Sequence, residues 1–103
     1  MAGSNGFFFL MSFYLYILKS INFEKTYIGH TNNLKRRLRE HNSGKSEYTS
    51  KFKPWKVLYT EIFPSRDKAI LREKYFKSAA GRKKIKILVL NAHVAQQDRA
   101  TVS

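Results

Sequence analysis

Phe13-Tyr14-Leu15-Tyr16-Ile17-Leu18-Lys19, followed after a polar connection by Thr26-Tyr27-Ile28-Gly29, is the stretch that decides the fold. Both segments are rich in aromatic and branched residues, which favour a pleated, half-buried strand. The connection Ser20-Ile21-Asn22-Phe23-Glu24-Lys25 is short and polar enough to join them as an antiparallel hairpin. Pro54 precedes a third strand-like run, Trp55-Lys56-Val57-Leu58-Tyr59-Thr60-Glu61-Ile62-Phe63, in which apolar and polar residues partly alternate.

Between the hairpin and that run, Asn32-Asn33-Leu34-Lys35-Arg36-Arg37-Leu38-Arg39-Glu40-His41 reads as a helix. Thr31 or Asn32 serves as its cap and Gly44 lies just past its end. The segment from Ser43 to Lys53 is polar and basic, with room for one short helical turn. Ser65 caps a helix from about Arg66 to Ser78, with Asp67 favourable in its first turn. Ala79-Ala80-Gly81 is read as a break. A last helix spans Arg82 to Leu90, with Ile85, Leu88 and Val89 on one side.

The expected order is β-β-α-β-α-α. It specifies an α+β fold, a small, mostly antiparallel three-stranded sheet flanked by helices. The expected divisions are an N-terminal extension over 1–11, with Met11 a possible true start, one folded domain over 12–90, and a frayed tail over 91–103. A chain of 103 residues is too short for two independent cores.

Charge sets the class of partner. Twenty Lys and Arg face seven Asp and Glu, giving a net charge of +13. Cations placed on phosphates release condensed counterions, so such a balance points to nucleic acid. The basic residues recur from Lys19 to Lys86 and form no juxtamembrane cluster. The longest apolar run, 7–18, is twelve residues, against the ~20 that span a bilayer. No Lys or Arg precedes it, which argues against a secretory signal. The absence of cysteine excludes disulfides, thiolate metal sites and Cys nucleophiles, and fits a reducing compartment. The expectation is a soluble, cytoplasmic protein with no membrane partner.

Helical phase then separates ordinary charges from unusual ones. Leu34, Arg37, Leu38 and His41 share one face at i, i+3, i+4 and i+7. The bland reading of Arg37 is a stem lying along apolar surface with its head in water. The sharper one is a cation beside Tyr27, because the helix starts soon after Gly29 closes a strand. On the later helix, Glu73 lies within the apolar face outlined by Ala69, Ile70 and Phe76. Its bland reading is an ion pair with Lys77, Arg72 or Lys74. Its functional reading is a metal ligand, one carboxylate supplemented by water and phosphate oxygens, as suits Mg²⁺.

The residues Tyr14-Leu15-Tyr16 and Tyr27-Ile28-Gly29, with Arg37, His41 and Glu73 in order behind them, resemble the GIY-YIG endonuclease superfamily. The chain is similar to its small stand-alone bacterial members and to the N-terminal nuclease domain of the bacterial repair excinuclease. The two signature tyrosines are eleven positions apart, Arg37 follows Tyr27 by ten, and the likeness covers about residues 13–88. Tyr14 and Leu15 stand where the family name has Gly and Ile, and Asn91 is the available counterpart of a late family asparagine.

The resemblance implies a metal-dependent endonuclease of DNA, structure-directed and linked to repair or recombination. Tyr27 is then general base or its relay, which needs nearby cations because a phenol is a weak base at neutral pH. Arg37 holds the scissile phosphate, Tyr16 orients, and Glu73 anchors one Mg²⁺ or Mn²⁺. His30 and His41 are candidates for proton handling; His41 is equally read as contacting phosphate or supporting Tyr16. Lys35, Arg36, Arg39, Lys45, Lys51 and Lys53 would lie on the nucleic-acid backbone, supplying affinity without sequence information. No separate recognition module is visible, so targeting would come from nucleic-acid shape or a partner protein. The alternative is a non-catalytic nucleic-acid-binding module with a vestigial site.

Overall fold

The apolar runs build three antiparallel strands: β1 (Phe13–Ser20), β2 (Thr26–Thr31) and β3 (Trp55–Phe63). The computed structural model describes residues 12–102, with side-chain surroundings as far as residue 94, so the N-terminal extension expected over 1–11 lies outside the described residues. The strand order is β2-β1-β3, which makes the first strand central and leaves β2 at an edge. Tyr16 pairs with Gly29 and Leu18 with Tyr27 across the hairpin, while Tyr16 also pairs with Thr60 of β3.

Because side chains alternate along a strand, β1 contributes to two separate cores. Leu15 and Ile17 face one side, with Phe76 and Ile85 and the partly buried Ile28, Leu58, Leu88 and Val89. Tyr16 and Leu18 face the other, with Trp55, Leu34, Leu38 and Phe52. The sheet is therefore covered on both faces. On the Tyr16 side lie α1 (Leu34–Ser43) and the single turn α2 (Glu47–Ser50). On the Leu15 side lie α3 (Arg66–Lys77) and α4 (Ala79–Val102). The expected α+β fold is the observed one, with α2 as the short turn anticipated between residues 43 and 53. No helix among the described residues is long and apolar enough to cross a membrane.

The helix ends follow local chemistry. Ser65 caps α3 by accepting from Lys68 N–H at 3.4 Å, and Gly44 ends α1 in the left-handed region at φ 87°. The N-cap of α1 is Asn33, not Thr31 or Asn32: its Oδ1 accepts from Arg36 N–H at 3.0 Å. Thr31 Oγ1 is engaged one step earlier, accepting from Asn33 N–H at 3.1 Å, so the two polar side chains act in series. The break after α3 is Ser78, with ψ 170°, and not Ala79-Ala80-Gly81, which already belong to α4. α4 also passes the expected end at Leu90 and continues to Val102, so the backbone expected as a frayed tail is helical. No Gly or Pro follows Gly81 to stop it, and alanine and glutamine favour its continuation.

Gly81 marks where the two helices touch. A Cβ there would run into the Tyr75 carbonyl oxygen and the Phe76 backbone. Alanine normally gains about 1 kcal/mol over glycine inside a helix. Here the obstacle is backbone, which cannot swing aside, so overpacking wins. Gly81→Ala is expected to destabilise the fold by about 2–3 kcal/mol net, measured by urea denaturation. An unchanged or higher midpoint would show that α3 and α4 can separate without loss.

Candidate nuclease site

Tyr16 of β1 and Gly29 of β2 are one feature. Tyr16 lies across from Gly29, and a Cβ on Gly29 would stand 2.6 Å from the Tyr16 phenolic oxygen and 2.8 Å from Cζ. Glycine therefore makes room for the Tyr16 ring, which is 1% exposed. Its hydroxyl meets His41 Nε2 at 2.9 Å, and His41 Nδ1 meets Thr49 Oγ1 at 2.8 Å. Trp55 Nε1 donates to the Thr49 carbonyl at 2.8 Å, and Asn42 is bonded to the Trp55 backbone through both its donor and its acceptor. α1, α2 and β3 thus hold one buried polar chain with Tyr16 at its end.

His41 is 0% exposed. Burial pushes its pKa down to about 4, Arg37 adds to this, and Glu40 opposes it. The imidazole is neutral at physiological pH, with one nitrogen donating and one accepting, and a hydroxyl on each side can supply the complementary role. Burial likewise pushes the Tyr16 phenol up to about 12, opposed by Arg37 and reinforced by Tyr27 and Glu73. Tyr16 stays a phenol. It is suited to orient other groups and unsuited to act as a base.

Tyr27 lies on the same face, with its ring 4.8 Å from His41 and 6.2 Å from Tyr16. Arg37 reaches this cluster from α1. Burial works against its charge, but Glu40, bonded to Nη1 at 3.0 Å, and the hydroxyls of Tyr16 and Tyr27 more than offset it and raise its pKa. The Arg37 side chain remains 34% exposed, so a charged fork is presented to solvent beside two phenols.

The next strand position turns the other way. His30, one residue past Gly29, faces α3, where its Nδ1 meets Glu73 Oε1 at 2.6 Å. Lys77 Nζ donates to Glu73 Oε2 at 2.7 Å. Burial would raise the Glu73 pKa, but hydrogen bonding from His30 and Lys77 outweighs it and keeps the carboxylate ionised. The two groups flank edge strand β2: Tyr16, Tyr27, Arg37 and His41 on one face, His30 and Glu73 on the other. The field of Glu73 reaches Tyr16, which it pushes toward the protonated form.

A family model described as the GIY-YIG catalytic domain matches residues 12–86. The chain belongs to the GIY-YIG family. Among curated relatives, the UPF0213 protein CPE1444 of Clostridium perfringens is 38% identical over 76 residues, spanning 73% of this chain and 81% of the relative. A UPF0213 protein of Bacillus licheniformis is 39% identical over 74 residues, 71% of this chain and 75% of that one. The solution NMR structure of the UPF0213 protein BH0048 from Bacillus halodurans is 34% identical and covers 78% of this chain and 85% of that one, with a TM-score of 0.47. Membership in the GIY-YIG family implies a nuclease-type domain and a nucleic-acid substrate.

Within this GIY-YIG domain, Lys35, Arg36, Arg39, Lys45, Lys51 and Lys53 are all exposed, and they belong to α1 and the α1–β3 connection, the layer that carries Arg37. Arg36 also approaches Glu40 at 3.9 Å. A cavity of about 950 Å³ lies on the opposite face, lined by Ile28, Leu58 and α4 residues, and reaches the site through Lys77. Arg72, an alternative partner for Glu73 by sequence, instead pairs with Glu61 at 2.8 Å and covers the rings of Tyr75 and Phe76.

The sequence pattern did not single out Asn42, in the last turn of α1, or Thr49, in the single turn α2, which is too short to show a period. It saw Lys77 only as an ion-pair partner of Glu73; the structure adds that His30 shares that carboxylate. Among the described residues, no cluster of three or more His, Cys, Asp and Glu could hold a metal. The Glu73 carboxylate is ionised and 19% exposed, with its oxygens bonded to His30 and Lys77. A single hard cation would have to bind through their remaining lone pairs and be completed by water and phosphate oxygens.

Proposed function

We propose that this chain is a metal-dependent endonuclease that hydrolyses phosphodiester bonds in DNA, directed by nucleic-acid structure and serving repair or recombination in the cytoplasm. The observation that carries the reading is that Tyr27 and Arg37 on one face and the His30–Glu73 pair on the other flank the same edge strand β2, near enough for the field of Glu73 to act on Tyr16. Arg37 binds the scissile phosphate through its planar fork. Tyr27, beside that guanidinium, would relay the proton of the attacking water, accepting it at the phenolic oxygen as its own hydroxyl proton passes to solvent, and a solvent proton would return to the leaving oxygen. Tyr16 and the neutral His41 behind it orient these groups, and His30 aims the Glu73 carboxylate. Glu73 would hold one Mg²⁺ or Mn²⁺, which supplies positive charge to the phosphoryl and leaving oxygens when bound. The six exposed cations named above would hold backbone phosphates.

One observation favours a second reading, a nucleic-acid-binding module without catalysis: both Glu73 oxygens are already bonded, to His30 and Lys77. Cleavage assays separate the two. Branched, nicked and plain DNA are incubated with the protein and Mg²⁺ or Mn²⁺, beside Tyr27→Phe and Glu73→Ala. The expected result is cutting of at least one branched or nicked substrate, with Glu73→Ala slower by about 100-fold or more. No cutting of any substrate, or cutting by Glu73→Ala at the wild-type rate, refutes the metallonuclease reading.

A further inference from the structure

Phe23, Tyr48 and Phe52 belong to loops and the one-turn helix α2, and two of them stand unusually open: Phe23 is 46% exposed and Tyr48 49%. Scattered exposed aromatics need no explanation, but these form a contiguous row. The Tyr27 and Tyr48 ring centroids are 6.4 Å apart, Tyr48 and Phe52 are 5.5 Å apart, and Phe52 and Phe23 are 5.4 Å apart. The row therefore starts at the proposed base and ends at the surface.

Its parts are pinned together. The Ser20 hydroxyl donates to the Phe52 carbonyl at 2.6 Å and accepts from Phe23 N–H at 3.1 Å. Ile21 N–H donates to the Pro54 carbonyl at 3.0 Å, so the hairpin turn and the loop before β3 form one surface. The charge around the row is basic. Lys25 Nζ lies 5.3 Å from the Phe52 ring centroid, and the exposed Lys51 and Lys53 flank Phe52 in sequence, against Glu24 and Glu47.

We propose that this row is a stacking surface for unpaired bases of the strand whose backbone passes Tyr27 and Arg37. The proposal rests on the nuclease reading for the position of the strand and names its substrate class: nucleic acid whose bases are unpaired beside the cut. Every base has a π-face that stacks on an aromatic ring whatever its sequence, and lysines take the accompanying phosphates. Bases inside a duplex are already stacked on one another and offer only their edges. The row therefore discriminates by structure and not by sequence, without a separate recognition module.

The test measures binding alone, in chelator and without cleavage, so its outcome is independent of the nuclease assay. Fluorescence anisotropy compares a labelled single-stranded oligonucleotide with a duplex of equal length. Tyr48→Ala is expected to weaken single-strand binding about tenfold, Phe23→Ala somewhat less, and both to change duplex binding by less than about twofold. The dependence of single-strand affinity on salt should keep its slope, because no phosphate contact is removed. Tyr48→Trp should restore binding, which a variant that merely unfolds the loop could not explain. Unchanged single-strand binding by Tyr48→Ala, or equal losses on single strand and duplex, overturns the proposal. The first outcome would leave an apolar protein partner as the occupant of the row.

Discussion

Arg37→Ala is expected to slow cleavage by about a thousand-fold at saturating protein, measured as a single-turnover rate on the best branched or nicked substrate. The size follows from where the guanidinium sits. It lies beside the Tyr16–Tyr27 pair, held by Glu40 at 3.0 Å and partly shielded from water. Charge that develops on a phosphate there is met by a fixed, preorganised fork. DNA affinity should fall by less than about tenfold, because Arg37 is one of 20 basic residues, and the salt slope should drop by about one phosphate contact. A large loss in rate with a small loss in binding marks an interaction made mainly in the transition state. Arg37→Lys should recover little, since an ammonium cannot engage two phosphoryl oxygens in one plane. If Arg37→Ala cuts within about tenfold of wild type, Arg37 is the packed, solvent-tipped stem of the bland reading and not the phosphate clamp.

Periodicity was informative where an element has two distinct faces. It placed Leu34 and Leu38 toward the sheet, and with them Arg37 and His41; it placed Glu73 between Ala69 and Phe76, both of which are fully buried. The strand segments and the Ser65 cap follow from equally local chemistry. What periodicity could not supply is depth and sidedness. Arg37 and His41 share a face, yet one keeps a third of its surface and the other has none. Nor does a one-dimensional pattern say that α1 and α3 approach opposite faces of the sheet, so the site straddles an edge strand instead of filling a pocket. That depends on β1 being central, which no residue announces. The row Phe23–Phe52–Tyr48 was illegible for another reason. Its members lie in segments without a repeat, and it takes the Ser20 bridge and the Ile21–Pro54 hydrogen bond to bring the two loops together.

Lowering the pH from 7 to 5 is expected to destabilise the fold by about 2 kcal/mol through His41 alone. In the unfolded chain His41 titrates near 6.5, whereas in the folded chain burial and then Arg37 hold it down to about 4. The folded pKa is the lower one. Above pH 6.5 neither state carries the proton and nothing is lost; between 6.5 and about 4 only the unfolded state binds it, so stability falls as pH falls. The full loss through that window is about 3 kcal/mol, a large share of the 5–15 kcal/mol typical of a domain. Glu61 and Glu73, whose pKa values are lowered, act below the ordinary carboxylate range and leave the interval from 5 to 6.5 to histidine. Urea midpoints at pH 7, 6 and 5 for wild type and His41→Gln check this: the wild-type decline should be steeper by about 2 kcal/mol over that span. Parallel declines would mean that His41 titrates normally and that the chain from Thr49 to Tyr16 is open to water. The two site predictions are also coupled, because Arg37 is one of the two causes that keep His41 neutral. Arg37→Ala removes that repulsion and leaves burial, so its stability should fall less steeply with acid than that of wild type, although its catalytic loss is greater.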